Sequence, residues 1–145
     1  MGTNSRIVSS FISSERVGVL SYISKPGRPS SALMEYASKG LEIFMCTSKR
    51  SGKYANMRGR NVAFEIHDGE ETLQYEGFSR ELRSGGALEE ARSLLWKKNP
   101  LLYQWEKKER LAYFVIRPLW LKYTDFDKKP NRVITIDMRR VERKT

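Results

Sequence analysis

The chain has 145 residues, 39% of them apolar, with three Trp, seven Tyr and six Phe, enough for one domain with a packed core. One cysteine and one histidine exclude an intramolecular disulfide and a structural zinc site, and fit a reducing, cytoplasmic setting. No run reaches the roughly 18 apolar residues of a membrane span and no signal-peptide pattern is present, while a formal charge of +10 favours anionic partners: nucleic acid, a phosphorylated cofactor or an acidic substrate.

In chain order, residues 5–13 place Ile7, Val8, Phe11 and Ile12 at helical spacing and predict a short amphipathic helix. Val17-Gly-Val-Leu-Ser-Tyr-Ile23, rich in β-branched and aromatic residues, predicts a strand. Lys25-Pro-Gly-Arg-Pro29 then reverses the chain. Residues 31–36 and 41–46 read as strands paired around the Ser38-Lys-Gly40 turn, and residues 51–58 as a short helix. In residues 61–67, Val62, Phe64 and Ile66 alternate with Ala63, Glu65 and His67, the period-2 pattern of a half-buried strand. Asp68-Gly69 predicts a hairpin into a strand over 72–83. Leu88, Ala91, Leu94 and Leu95 form one stripe of a helix over 87–98, which Asn99-Pro100 stops. Residues 111–125 predict a long strand bent near Arg117-Pro118, because proline cannot donate to a ladder. A last strand runs through residues 133–136. Many short, hairpin-linked strands with few helices predict a mainly β fold: an antiparallel barrel of six or seven strands rather than a parallel α/β sheet.

Between the apolar strand 41–46 and the helix 51–58 lies Thr47-Ser-Lys-Arg-Ser-Gly-Lys53. Hydroxyls, cations and a glycine thus crowd a strand-to-helix turn. A helix start offers unpaired N–H groups, and the side chains add donors, a combination that suits a phosphate dianion. A P-loop is excluded. Thr47 stands where that motif needs its first glycine, and Tyr54 where it needs Ser or Thr. What remains is an anion site of Thr47, Ser48, Ser51 and Lys53, with Arg50 beside it.

The ordered set Gly27-Arg-Pro-Ser-Ser-Ala-Leu-Met-Glu-Tyr36, Ile43-Phe-Met-Cys-Thr-Ser48, Ser51-Gly-Lys53 and Asn61-Val-Ala-Phe64 resembles the pyridoxamine 5′-phosphate oxidase-like family, over residues 5–126. The resemblance implies a split β-barrel that binds flavin mononucleotide (FMN), as a homodimer with the cofactor at the subunit interface. It implies an FMN-binding domain over residues 1–126 and a basic C-terminal strand and tail over 127–145. Ser31, Ala32, Leu33 and Met34 would then lie along the flavin ring and offer it backbone groups. Thr47 and Ser48 would close over the ribityl-phosphate arm, and Ser51 and Lys53 would meet the phosphate. Thr72, from the second subunit, would reach the far side of the ring.

Full vitamin B6 oxidases of that family carry an Arg near the position of Ala32, a Lys near Ala37 and a C-terminal Arg-rich substrate motif. This chain has alanines there and a different basic tail, Arg139-Arg140-Val-Glu-Arg143-Lys144, read as a solvated rim. The expected function is therefore an FMN-dependent oxidoreductase acting on an unidentified small molecule, without pyridoxamine phosphate oxidation itself. No side chain stands out as its catalytic acid or base. Cys46 reads as a small core hydrophobe and His67 as an exposed or partner-facing residue. Trp96, Tyr103 and Trp105 read as covers of the barrel edge, or one of them as a pocket wall.

Four alternatives stay open. A deazaflavin-dependent reductase of the same fold suits the basic surface, because that coenzyme has an acidic tail. A haem-binding relative would have only His67 to offer as an imidazole ligand. A flavin carrier without turnover has the same sequence signature as an enzyme. From another class, a nucleic-acid-binding barrel would use Trp96-Lys-Lys98 and Trp105-Glu-Lys-Lys108 to stack bases. Against that last reading, Tyr75-Glu-Gly-Phe-Ser79 lacks the aromatic spacing of an RNA-recognition strand.

Overall fold

The computed structural model describes residues 2–139; the tail residues 140–145, including the predicted basic rim at Arg140, Arg143 and Lys144, lie outside the described residues. Helix α1 (Thr3–Ser14) precedes β1 (Val17–Ser24) and β2 (Arg28–Glu35). Next come β3 (Ala37–Lys39), β4 (Glu42–Ser48) and α2 (Gly52–Met57). Strands β5 (Arg60–Asp68) and β6 (Glu71–Leu82) lead to α3 (Gly85–Lys98) and α4 (Leu102–Lys108), and β7 (Leu111–Asp125) and β8 (Arg132–Asp137) follow. No helix among the described residues is long and apolar enough to cross a membrane.

The strands form one antiparallel sheet in the order β2-β1-β5-β6-β7-β4-β3, with β8 paired to β7. Strand β7 organises it. One edge of β7 pairs with β6 almost throughout, whereas the other is shared between β4, along residues 111–116, and β8, along residues 120–125. The change-over coincides with a register shift between Glu76 and Gly77, opposite Pro118. Proline has no N–H to give the ladder, and a bulge absorbs the missing bond while bending the strand. The bend expected at Arg117-Pro118 is this bulge. Gly77 makes it possible, because a Cβ there would lie 2.6 Å from Ile116 Cγ2 and 2.7 Å from the Arg117 carbonyl. Gly77→Ala is expected to cost about 1–3 kcal/mol through this overpacking. A urea unfolding midpoint equal to wild type would contradict that.

Two apolar clusters hold the sheet. The larger fills the barrel, where Val8, Phe11 and Ile12 of α1 meet Leu20, Phe64, Tyr75, Phe114 and Tyr123. Its tyrosines satisfy their hydroxyls within the protein: Tyr36 donates to Ile12 O at 2.5 Å, Tyr75 to Leu41 O at 2.7 Å, and Tyr123 to the Glu71 carboxylate at 2.5 Å. The smaller cluster lies outside, where Leu88, Ala91 and Leu95 of α3 and Leu102 of α4 cover Phe44, Tyr113 and Val115. Strand β4 is therefore sandwiched. Ile43 and Met45 point into the barrel, while Phe44 and Cys46 point to the helices. That double burial explains why residues 43–46 form a continuous apolar run rather than an alternating one.

The expected pairing of residues 31–36 with 41–46 does not form. Strand β2 pairs along its whole length with β1, and only the three-residue β3 pairs with β4 around the Gly40 turn. The reason is at Tyr36. Its side chain is buried among α1 and Phe64, and the chain leaves β2 there to start again as β3. Strand β3 brings the described strands to eight, beyond the six or seven expected. Helix α4 is likewise absent from the sequence reading, which leaves residues 102–108 as loop.

Candidate functional site

The sheet does not close on itself. Strands β2 and β4 stand near opposite ends of the strand order and do not pair with each other. Between them opens a cleft of about 780 Å³, within the size range of small-molecule and cofactor sites. One wall is Leu33, Met34 and Glu35 of β2, and the floor is Cys46, Thr47 and Ser48 of β4. The turn residues Arg50, Ser51 and Lys53 close one end, and α3 and α4 supply Leu95, Leu102, Trp105 and Lys108, with Glu109 just beyond α4.

The turn is held by its own hydroxyls. Ser51 caps α2, its Oγ accepting from Lys53 N–H at 3.1 Å. Ser48 Oγ accepts from Arg50 N–H at 3.1 Å and donates to Glu109 Oε2 at 3.2 Å. Lys49 N–H donates to Arg110 O at 2.8 Å, which ties the end of α4 to the turn. Of the cleft cations Arg50, Lys53 and Lys108, none has a carboxylate partner among the ion pairs of the described residues. Glu35 is held by Asn99, whose Nδ2 donates to Glu35 Oε2. The cleft thus has an apolar section and a section rich in free cations and hydroxyls.

Of the residues singled out from sequence, Leu33, Met34, Thr47, Ser48, Ser51 and Lys53 line this one cleft. Ser31 and Ala32 do not. Ser31 is exposed, and Ala32 faces the barrel, against its core. Thr72 is elsewhere, in a second cleft of about 590 Å³ shared with Val17, His67 and Phe126. Leu33, on the edge strand and 76% exposed, borders both clefts. The sequence reading missed Lys108 and Glu109, and left Trp105 between barrel cover and pocket wall. Their signal was the i, i+3 spacing of Leu102, Trp105 and Lys108, one face of a helix.

Cys46 offers no nucleophile here. Burial first, then the negative charges of Glu106 and Glu35, push its thiol up to about 12 from the ordinary 9.0. At pH 8 its thiolate fraction is lower than that of a free cysteine by roughly three orders of magnitude. Alkylation by iodoacetamide at pH 8 is expected to be correspondingly slow until the protein is unfolded; labelling at the rate of free cysteine would contradict the burial. His67 is exposed at the second cleft, away from the first. Among the described residues no cluster of His, Cys, Asp and Glu is arranged to hold a metal ion.

No family model matches the chain, and no curated protein matches it significantly. Solved structures do. A haem-binding protein from Mycobacterium smegmatis superposes with a TM-score of 0.79 at 15% identity, over 96% of this chain and 60% of the other. A Clostridium acetobutylicum protein of the pyridoxinephosphate oxidase family, related to general stress protein 26, gives 0.70 at 13% identity, over 94% and 96%. An FAD-binding protein from Mesorhizobium loti gives 0.66 at 19%, over 81% and 90%. The chain has the fold of the pyridoxamine 5′-phosphate oxidase-like split barrels. It spans 60% of the Mycobacterium smegmatis structure and 58% of a similar one from Campylobacter jejuni, so part of each of those proteins has no counterpart here. In this split barrel the split is the β2–β4 opening.

Proposed function

We propose that the chain binds FMN in the β2–β4 cleft and works as a flavoprotein oxidoreductase on a small molecule. The observation that carries this reading is the cleft itself. A single cavity joins an apolar wall of Leu33, Met34, Leu102 and Trp105 to an end lined by Ser48, Ser51, Arg50 and Lys53. A flavin mononucleotide has the same division, a planar ring at one end and a dianion at the other. Lys53 and Arg50 would neutralise the phosphate, with the Ser51 hydroxyl beside them. Thr47, only 7% exposed, would face the ribityl arm, and Leu33 and Met34 the ring. When bound, the flavin supplies hydride transfer. The chain's own part is to hold the anion and keep water off one face of the ring. The absence of an assigned acid or base is compatible with that division of labour.

A second copy of the chain completes this site in the proposal. Leu33 joins the cleft to the exposed apolar Val17 and Phe126, a contiguous patch that a homodimer would cover. Thr72 lies on that same patch, so it would meet the ring of the neighbouring protomer. One unpaired cysteine fits work in a reducing cytoplasm. Fold relatives that bind FAD or belong to the pyridoxinephosphate oxidase family support the flavin reading. A haem-binding relative makes haem the second reading. Against it, His67 lies at the second cleft and not among the cleft residues named above.

The test is an absorption titration of the purified protein with FMN, FAD and haemin, followed by gel filtration. The expected result is retention of FMN with a band at about 450 nm, and quenched flavin fluorescence. Loss of all flavin on the column, with a Soret band retained after haemin, would replace FMN by haem.

A further inference from the structure

We infer that Glu109 is a specificity-determining residue of this cleft: its carboxylate occupies the seat beside Ser48 that a ligand's phosphate would use, and so sets how strongly the site prefers a phosphorylated ligand over its neutral analogue. The inference rests on the cofactor reading above and deepens it. A serine hydroxyl has one proton to donate. Ser48 gives it to Glu109 Oε2 at 3.2 Å, while Arg50 N–H takes up an Oγ lone pair at 3.1 Å. Ser48 can therefore donate to a phosphate only by releasing Glu109.

The carboxylate is at this place because the backbone puts it there. Glu109 follows the last turn of α4, its N–H bonded to Trp105 O at 2.8 Å. The next residue, Arg110, accepts from Lys49 N–H at 2.8 Å, so the backbone around Glu109 is fixed to α4 on one side and to the turn on the other. Five charged residues line the cleft: Glu35, Arg50, Lys53, Lys108 and Glu109. Glu35 sits on β2 and is engaged by Asn99. Glu109 is the cleft carboxylate bonded to the turn itself. A phosphate dianion entering beside Lys53 meets the attraction of the three cations and the repulsion of Glu109 at the same hydroxyl. A ligand ending in a neutral alcohol meets no such repulsion, and its hydroxyl can donate to the same carboxylate. Glu109 is exposed, so solvent and salt screen the repulsion and the effect is moderate.

The experiment measures dissociation constants of FMN and riboflavin by flavin fluorescence for wild type and Glu109→Gln, an isosteric change at an exposed position. In parallel, calorimetry measures inorganic phosphate binding to both proteins without flavin. The expected result is a threefold to tenfold rise in the preference for FMN over riboflavin in Glu109→Gln, at about 50 mM salt, and a tighter phosphate isotherm. An unchanged or reduced FMN preference would overturn the inference. So would riboflavin and FMN weakening together, which would make Glu109 a ligand of the ribityl hydroxyls. If wild type takes up no flavin, the cofactor reading fails by itself. The anion seat is then decided by phosphate alone: tighter binding in Glu109→Gln sustains it, and equal or absent binding in both proteins sinks it.

Discussion

Lys53→Ala is expected to weaken FMN binding by about ten- to a hundredfold while leaving riboflavin binding within about twofold of wild type. The variant loses one charge-assisted hydrogen bond, worth about 1.5–3 kcal/mol. Several features single out this lysine. It stands in the first turn of α2, its backbone held by the Ser51 cap at 3.1 Å, so the side chain leaves from a fixed point on the cleft wall. No described carboxylate pairs with it, so removing it strands no buried acid and disturbs no ion-pair network. Lys53→Arg should recover part of the affinity, since charge is kept and only geometry changes. Fluorescence titration of both flavins with each variant decides the matter. Equal loss of FMN and riboflavin would mean that Lys53 acts on the fold or the ring, and unchanged FMN would place the phosphate elsewhere.

Leu33→Asp is expected to turn a dimer into a monomer and to abolish flavin retention, with little change in the thermal midpoint of the monomer. Leu33 is 76% exposed on the edge strand β2 and borders both clefts. In an isolated protomer an aspartate there stays solvated and costs the fold little. In a symmetric dimer it is buried twice. Each copy forfeits about 1.5–3 kcal/mol of leucine burial and adds the larger cost of an unpaired carboxylate in an apolar contact. Sedimentation velocity at micromolar concentration reads the association state directly. A Leu33→Asp protein that stays dimeric, or a wild type that is monomeric with flavin bound, would remove the second copy from the proposal.

How much of this was legible in the sequence differs from element to element. The stripe of Leu88, Ala91 and Leu95 predicts α3 because one helix face packs on Phe44 and Val115, a local pattern with a local consequence. The break at Pro118 is equally local, since the missing N–H belongs to that residue whatever surrounds it. Asp68-Gly69 marks the β5–β6 turn, where Gly69 takes a φ of 56° that other residues avoid. Strand partners were less legible. Residues 31–36 have the composition of a strand wherever they pair. Only the burial of Tyr36 against α1 turns the chain out of β2 and leaves that strand beside β1. Helix α4 was missed because most of residues 101–109 are polar or exposed, and just Leu102 is buried.

The chemistry of the turn from Thr47 to Lys53 was written in the chain itself. Hydroxyls, cations and a helix start are adjacent in sequence, so their proximity needs no folding to predict. The cleft was not. Its wall comes from β2, its roof from α3 and α4, and its carboxylate, Glu109, lies 61 positions from the serine it touches. Contacts of that kind depend on where the sheet fails to close. There β4 takes one length of a β7 edge and β8 the next, an arrangement of the packed sheet that no single segment contains.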